Sequence, residues 1–236
     1  MAGDRSVIPV ILHYPDAASQ MSDLAEIVAG DLREALAARG RATLAVPGGT
    51  TPGPFLTALS QADLDWANVA VMLTDERFVP ESSDRSNTAL LRATLLQGPA
   101  AAATLLPFYR EAEAPEHVLD EIASGIAPHL PIDSCVLGMG ADMHTASLFP
   151  GADRLAEGLD AEGNATVLPM RAPGAPEPRL TLTAPVLRAA RNLHLLIKGP
   201  EKKAALETAL AGDDWAEAPV RAVLKAPAPI QIHFSD

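Results

Sequence analysis

The chain has 236 residues, 48% of them hydrophobic and 20% charged, enough apolar material for one compact domain or two small ones. No apolar run is long enough to span a membrane. With 18 Lys and Arg against 30 Asp and Glu, the net charge of −12 repels polyanions and makes DNA or RNA a poor partner.

A small anion can bind such a chain only where cations and backbone N–H groups gather locally, which directs attention to glycine turns and clustered Arg and Lys. The single Cys135 excludes an internal disulfide and a cysteine-based zinc site. Met1–Ser6 leads into a short apolar stretch broken at His13, with the wrong length and flanks for a secretory signal. A cytoplasmic location is the default that follows, and oligomeric state is left open.

In chain order, residues 7–12 read as a strand. Leu24, Ile27, Val28, Leu32, Ala35 and Leu36 fall at helical spacing, with Gly40 as the stop signal. Residues 43–46 form a buried strand that runs into a turn at 47–52, with a helix over 55–59. A strand at 69–73 precedes a helix over 88–96 capped by Ser86 or Asn87. A helix over 118–130, a strand at 135–137, a short strand at 180–182, helical turns at 185–190 and a strand at 193–197 come next. A helix over 202–210 and a strand at 230–234 close the pattern. Strands alternating with helices predict an α/β fold, a mostly parallel sheet with helices on both faces. The whole chain, 1–236, reads as one domain, and the Gly-, Pro- and Ala-rich stretch 153–178 as an excursion or flap.

Four segments that follow strands can carry chemistry. Pro47-Gly48-Gly49-Thr50-Thr51-Pro52 joins a strand to a helix and suits an anion cradle, although no lysine follows in the P-loop place. Asp75-Glu76-Arg77 puts three charges at the carboxyl end of a strand, where α/β sheets bind ligands, and a guanidinium there can fork onto a carbonyl or phosphate. Gly138-Met139-Gly140-Ala141-Asp142-Met143-His144 fails the dinucleotide fingerprint, because Met143 stands where the third glycine belongs. It offers instead a histidine base with an orienting aspartate two residues before it. Lys198-Gly199-Pro200-Glu201-Lys202-Lys203 brings lysines to the start of a helix. Taken singly, each segment also reads as an ordinary turn or solvated loop. A parallel sheet gathers all four at one edge.

The remaining histidines, His13, His117, His129, His194 and His233, read as surface or packing residues. No histidine pair or carboxylate cluster has metal-ligand spacing, and no Gly-x-Ser-x-Gly elbow supports a serine hydrolase.

Together the segments resemble the 6-phosphogluconolactonase family, of the glucosamine-6-phosphate isomerase-like, modified Rossmann-type fold. Nearly the whole chain takes part, in order. The resemblance rests on Pro47–Pro52, Asp75-Glu76-Arg77 with Ser86-Asn87, Gly138 through Gly151, Arg179–Thr183, and Gly199 with Lys202. Pro47 and Thr50 replace the family's serines, and Met143 replaces a glycine beside the histidine. The resemblance implies hydrolysis of 6-phosphogluconolactone in the oxidative pentose phosphate pathway, without metal or cofactor. His144 would be the general base, Asp142 would orient it, and Arg77 would stabilise the oxyanion or position the substrate. Gly48, Gly49, Thr50, Thr51, Asp75, Arg179 and Lys202 would bind the sugar phosphate. Were His144 not the base, Glu76 or Asp75 would be next.

Two rivals remain. Deaminases of the same fold carry Phe-Asn-Glu-Pro where this chain has Ser147-Leu148-Phe149-Pro150, without the carboxylate that assists ring opening. A non-catalytic sugar-phosphate sensor needs a DNA-reading segment, and about six residues before the first strand are too few for a helix-turn-helix.

Overall fold

In the computed structural model, which describes residues 9–236, the apolar and amphipathic stretches alternate as their periodicities require. Strand β1 (Val10–His13) leads to helix α1 (Ala17–Arg39), β2 (Ala42–Val46) to α2 (Gly53–Leu59), and β3 (Val69–Leu73) to a second short strand, β4 (Asp75–Arg77). Helix α3 (Asn87–Thr94), β5 (Thr104–Leu105), α4 (Leu119–Ile126) and β6 (Ser134–Gly138) follow. The chain then forms α5 (Leu155–Leu159), β7 (Val167–Met170), β8 (Arg179–Leu182) and α6 (Ala184–Arg188). It closes with β9 (Asn192–Lys198), α7 (Pro200–Ala211), α8 (Arg221–Leu224) and β10 (Ile230–Ser235). Of the strand expected at 7–12, residues 7 and 8 lie outside the described region.

Seven strands make one parallel sheet in the order β1-β10-β9-β6-β2-β3-β5. Its central strands are covered on both sides, which is why β2 and β3 are buried at every residue and read as unbroken apolar runs. On one face Leu24, Val28 and Leu32 of α1 pack with Leu44, Val46 and Val71. On the other, Ala45, Met72, Leu137 and Leu195 join Leu206 of α7 and Leu182 of β8. From β2 the chain moves outward to β3 and β5, and from β6 it moves the other way to β9 and β10. The crevice at this reversal, outside the carboxyl ends of the strands, is where such sheets bind ligands.

A second, antiparallel sheet, β4-β8-β7, departs from the sequence expectation. The chain changes sheets at Thr74, whose N–H donates to Val46 O at 2.9 Å and whose carbonyl accepts from Leu182 N at 2.9 Å. Asp75, Glu76 and Arg77 therefore form a strand rather than a charged loop, and β8 joins them instead of the main sheet. The stretch 153–178 is corrected likewise. It is not a flap over solvent, because it contributes α5 and β7, with Leu155, Leu159, Val167 and Met170 buried in the core. Pro169 disguises β7, yet proline is tolerated there because β7 is an edge strand. The single helix expected over 118–130 is shortened to α4 with a tighter turn at Ala127–His129, since Pro128 cannot continue the α-helical hydrogen bonding. Ser86, and not Asn87, caps α3 by accepting from Ala89 N. Among the described residues, no helix is long and apolar enough to cross a membrane.

His194 and His233 are fully buried and belong to a polar chain across the sheet. Tyr14 Oη lies 2.8 Å from His233 Nδ1, His233 Nε2 lies 3.1 Å from His194 Nδ1, and His194 Nε2 lies 2.8 Å from Asp31 Oδ2. One proton arrangement satisfies every member. Tyr14 donates to His233, His233 to His194, and His194 to the Asp31 carboxylate. Burial, with His194 beside it, pushes His233 down from its ordinary value of 6.5 to about 3. The unfolded chain takes up this proton first, so its contribution is complete above pH 6.5 and is lost as pH falls toward 3, by up to about 1.4 kcal/mol per unit. Urea unfolding at a series of pH values across this window should show that slope, and His233→Gln should flatten it. Parallel slopes for the two proteins would exclude His233 as the source.

Candidate active site

The four segments meet in a cleft of about 330 Å³ at the reversal of strand order. Residues Pro47–Pro52 line it from the end of β2, Asp75 and Arg77 from β4, Gly138–Gly140 and His144 from the end of β6, Arg179 from β8, and Lys202 from the first turn of α7. Asp142 stands behind His144, outside the cleft wall.

His144 Nδ1 lies 2.5 Å from Asp142 Oδ1, and that same oxygen accepts from the His144 backbone N–H at 3.2 Å. The aspartate thereby fixes the ring and the tautomer with hydrogen on Nδ1, leaving the Nε2 lone pair free to accept a proton. The loop is closed by Gly140 N–H to His144 O at 3.0 Å and Met143 N–H to Gly140 O at 3.0 Å. Met143, standing at the family's glycine position, adopts φ 63°. A side chain in this left-handed region costs roughly 1–2 kcal/mol, and the turn persists because Val220 N–H binds Met143 O at 3.0 Å.

Gly140 is required by close approach. A Cβ there would lie 2.2 Å from His144 Nδ1 and 2.4 Å from Asp142 Oδ1. Both groups are side-chain ends that can move, so Gly140→Ala should fold normally and displace the pair instead. Misplacement on that scale costs about 10²-fold in kcat. Steady-state kinetics beside an unchanged melting curve would bear this out, and wild-type kcat would show that the pair tolerates the shift.

The cleft is also cationic. Among the described residues, the amides of Gly48, Gly49, Thr50 and Thr51 donate to no protein acceptor, and Lys202 has no carboxylate partner. Arg77 and Arg179 are direct cross-strand neighbours on β4 and β8. Like charges placed so oppose each other until an anion lies between them. The Nε of each is buried without a hydrogen-bond partner. Burial lowers the Arg179 pKa, and Arg77 adds to the effect against the opposing Asp75.

Asp75 and Glu76 differ in their surroundings. Asp75 accepts from Ser147 Oγ at 2.5 Å and lies 3.8 Å from Arg179 Nη1. It lines the cleft, and its bond to Ser147 ties the cleft wall to the turn after His144. Glu76 is buried and spent on the start of α3: its two oxygens accept from Arg77 N, Asn87 N, Thr88 N, Thr88 Oγ1 and Ser86 Oγ. It has no capacity left to act as a base. Asn87, a cap candidate and part of the Ser86-Asn87 pair that carries the family resemblance, lines the cleft. Its Oδ1 accepts from Arg77 Nη1 at 3.2 Å, and it fills the space beside Gly48, where a Cβ would come within 2.0 Å of Asn87 Cγ. Its place two residues before an apolar helix face signals a cap, and only the fold brings it to the glycine turn. Among the described residues, no three His, Cys, Asp or Glu side chains gather as a metal would require.

The family model described as glucosamine-6-phosphate isomerases/6-phosphogluconolactonase matches residues 15–231. A 6-phosphogluconolactonase of Rhizobium meliloti is 47% identical over 228 residues, 95% of this chain and 97% of that protein. One of Pseudomonas aeruginosa is 48% identical over 227 residues, 94% of this chain and 92% of that protein. The crystal structure of a 6-phosphogluconolactonase from Shewanella baltica superposes with a TM-score of 0.93 at 33% identity, covering 97% of this chain and 98% of that one. With the family model spanning nearly its full length and two such relatives near half identity, the chain belongs to the glucosamine-6-phosphate isomerase/6-phosphogluconolactonase family.

Proposed function

We propose that this protein hydrolyses 6-phosphogluconolactone to 6-phosphogluconate in the oxidative pentose phosphate pathway, with His144 as general base. The observation that carries the mechanism is the tie between His144 Nδ1 and Asp142, which leaves Nε2 free beside a cleft rimmed by Arg77, Arg179 and Lys202. Nε2 takes a proton from water as the water oxygen attacks the lactone carbonyl carbon. The bond from that carbon to the ring oxygen then breaks, and the imidazolium returns the proton to the ring oxygen. Asp142 stabilises the imidazolium, and Arg77, on the cleft wall, stabilises the developing oxyanion. The amides of the 48–51 turn, with Lys202 and Arg179, hold the phosphate. A lactone is an activated ester, so no covalent nucleophile is needed.

The deaminase alternative loses further ground from the geometry. The position of its glutamate is held here by Phe149, and neither Ser147 nor Leu148, both buried, supplies a carboxylate.

The experiment that tests this reading separates phosphate binding from chemistry. Lys202→Ala should raise KM for 6-phosphogluconolactone about tenfold or more with little change in kcat, because the lost contact is present equally in ground and transition states. The same substitution should leave turnover of unphosphorylated gluconolactone, expected to be slow in the wild type, unaltered. Equal wild-type activity on the two lactones would exclude a phosphate site in this cleft.

A further inference from the structure

Phe149 does not line the cleft, yet its ring lies against the two groups that the proposed reaction uses for different purposes. Its centroid is 4.1 Å from that of the His144 imidazole, with 33° between the planes. The Arg179 guanidinium carbon lies over the same ring at 5.2 Å from the centroid. We infer that Phe149 is a positioning residue that fixes the base His144 and the phosphate ligand Arg179 against one another, an inference that rests on the functional reading above.

Both partners need such a platform. The Arg179 Nε has no hydrogen-bond partner, and its Nη1 reaches Asp75 only at 3.8 Å. The imidazole of His144 is held by Asp142, itself on an exposed loop. An aromatic face attracts a guanidinium through its quadrupole and stacks on a neutral imidazole, and an aliphatic side chain of similar volume does neither.

The chain between His144 and Phe149 is built to hold the ring in place. Thr145 Oγ1 donates to Gly138 O at 2.8 Å, and Leu148 N–H returns to Thr145 O at 3.0 Å. Ala146 takes φ 49° at the tip of that turn. Ser147 fastens it to the second sheet, with N–H to Thr181 Oγ1 at 3.1 Å and Oγ to Asp75 Oδ2 at 2.5 Å. Leu148 is fully buried. The turn thus carries Phe149 back beneath a side chain five positions earlier, anchored to both sheets at once.

The test is a pair of double-mutant cycles on 6-phosphogluconolactone, with rates corrected for spontaneous opening. Phe149→Leu should lower kcat about tenfold and raise KM about threefold to tenfold, the scale of a desolvated cation–π contact and an aromatic stack. Phe149→Tyr, which keeps the ring, should recover most of both. In an Arg179→Met background Phe149→Leu should no longer raise KM, and in a His144→Gln background it should no longer lower the residual kcat. Additive losses in both backgrounds would reduce Phe149 to a packing residue and overturn the inference, as would wild-type constants for Phe149→Leu. A second readout does not depend on turnover. The His144 imidazole proton resonances, assigned by difference from His144→Gln, should carry a ring-current shift that vanishes in Phe149→Leu and persists in Phe149→Tyr. An unshifted resonance in the wild type would overturn the placement. A wild type without lactonase activity but with the ring-current shift would overturn the functional reading alone.

Discussion

Replacing His144 by alanine should lower kcat by about 10²–10⁴-fold, the range for loss of a positioned proton-transfer group. KM should change far less, because the proposed phosphate contacts come from other residues of the cleft, the 48–51 turn, Arg179 and Lys202. Asp142→Asn should keep the fold and still lose much of the rate, since an amide can hold the ring but cannot support an imidazolium as a carboxylate does. Near-wild-type activity in His144→Ala would require another base. Glu76 is not available for that role with both oxygens occupied, and Asp75, bound to Ser147 and close to Arg179, would have to be examined.

Replacing Glu76 by alanine should instead act on stability, by about 3 kcal/mol or more, because hydrogen bonds to a charged group contribute about 1.5–3 kcal/mol each and are not additive. Its removal strands the Asn87 and Thr88 amides at the buried start of α3. That helix start also sets Asn87 between Gly48 and Arg77, so activity should fall together with stability. Urea denaturation monitored by circular dichroism reads the change, and a loss under 1 kcal/mol would mean that water or neighbouring groups replace the carboxylate.

Much of this arrangement was legible in the residues. Apolar runs such as Val69–Leu73, buried at every position, announce central parallel strands, and the turn at Pro47–Pro52, two glycines between a strand and a helix, marks a candidate anion cradle. Asp142 and His144 could be paired from spacing alone, since two residues suffice for the carboxylate to return to the ring. The second sheet was less accessible. The strand Asp75–Arg77 is charged because it borders the cleft, so it lacks the apolar alternation by which strands are recognised. The strand Val167–Met170 contains a proline and lies in a Gly- and Pro-rich stretch, and only its edge position reconciles the two. Asn87 and Ser147 acquire their roles from partners far along the chain, Gly48 and Asp75, which no local pattern reveals. His194 and His233 are polar residues within apolar strands, and their meaning emerges only when Asp31 and Tyr14 arrive from elsewhere to complete the hydrogen bonds.

The claim at the centre of this account is that the cleft opens a phosphorylated lactone. It is tested most directly by following acid release from freshly generated 6-phosphogluconolactone with purified protein, with ammonia release from glucosamine 6-phosphate as the parallel reaction. The account predicts acid release well above the spontaneous rate and no ammonia. Acid release no faster than in buffer, or turnover of glucosamine 6-phosphate in its place, would contradict it.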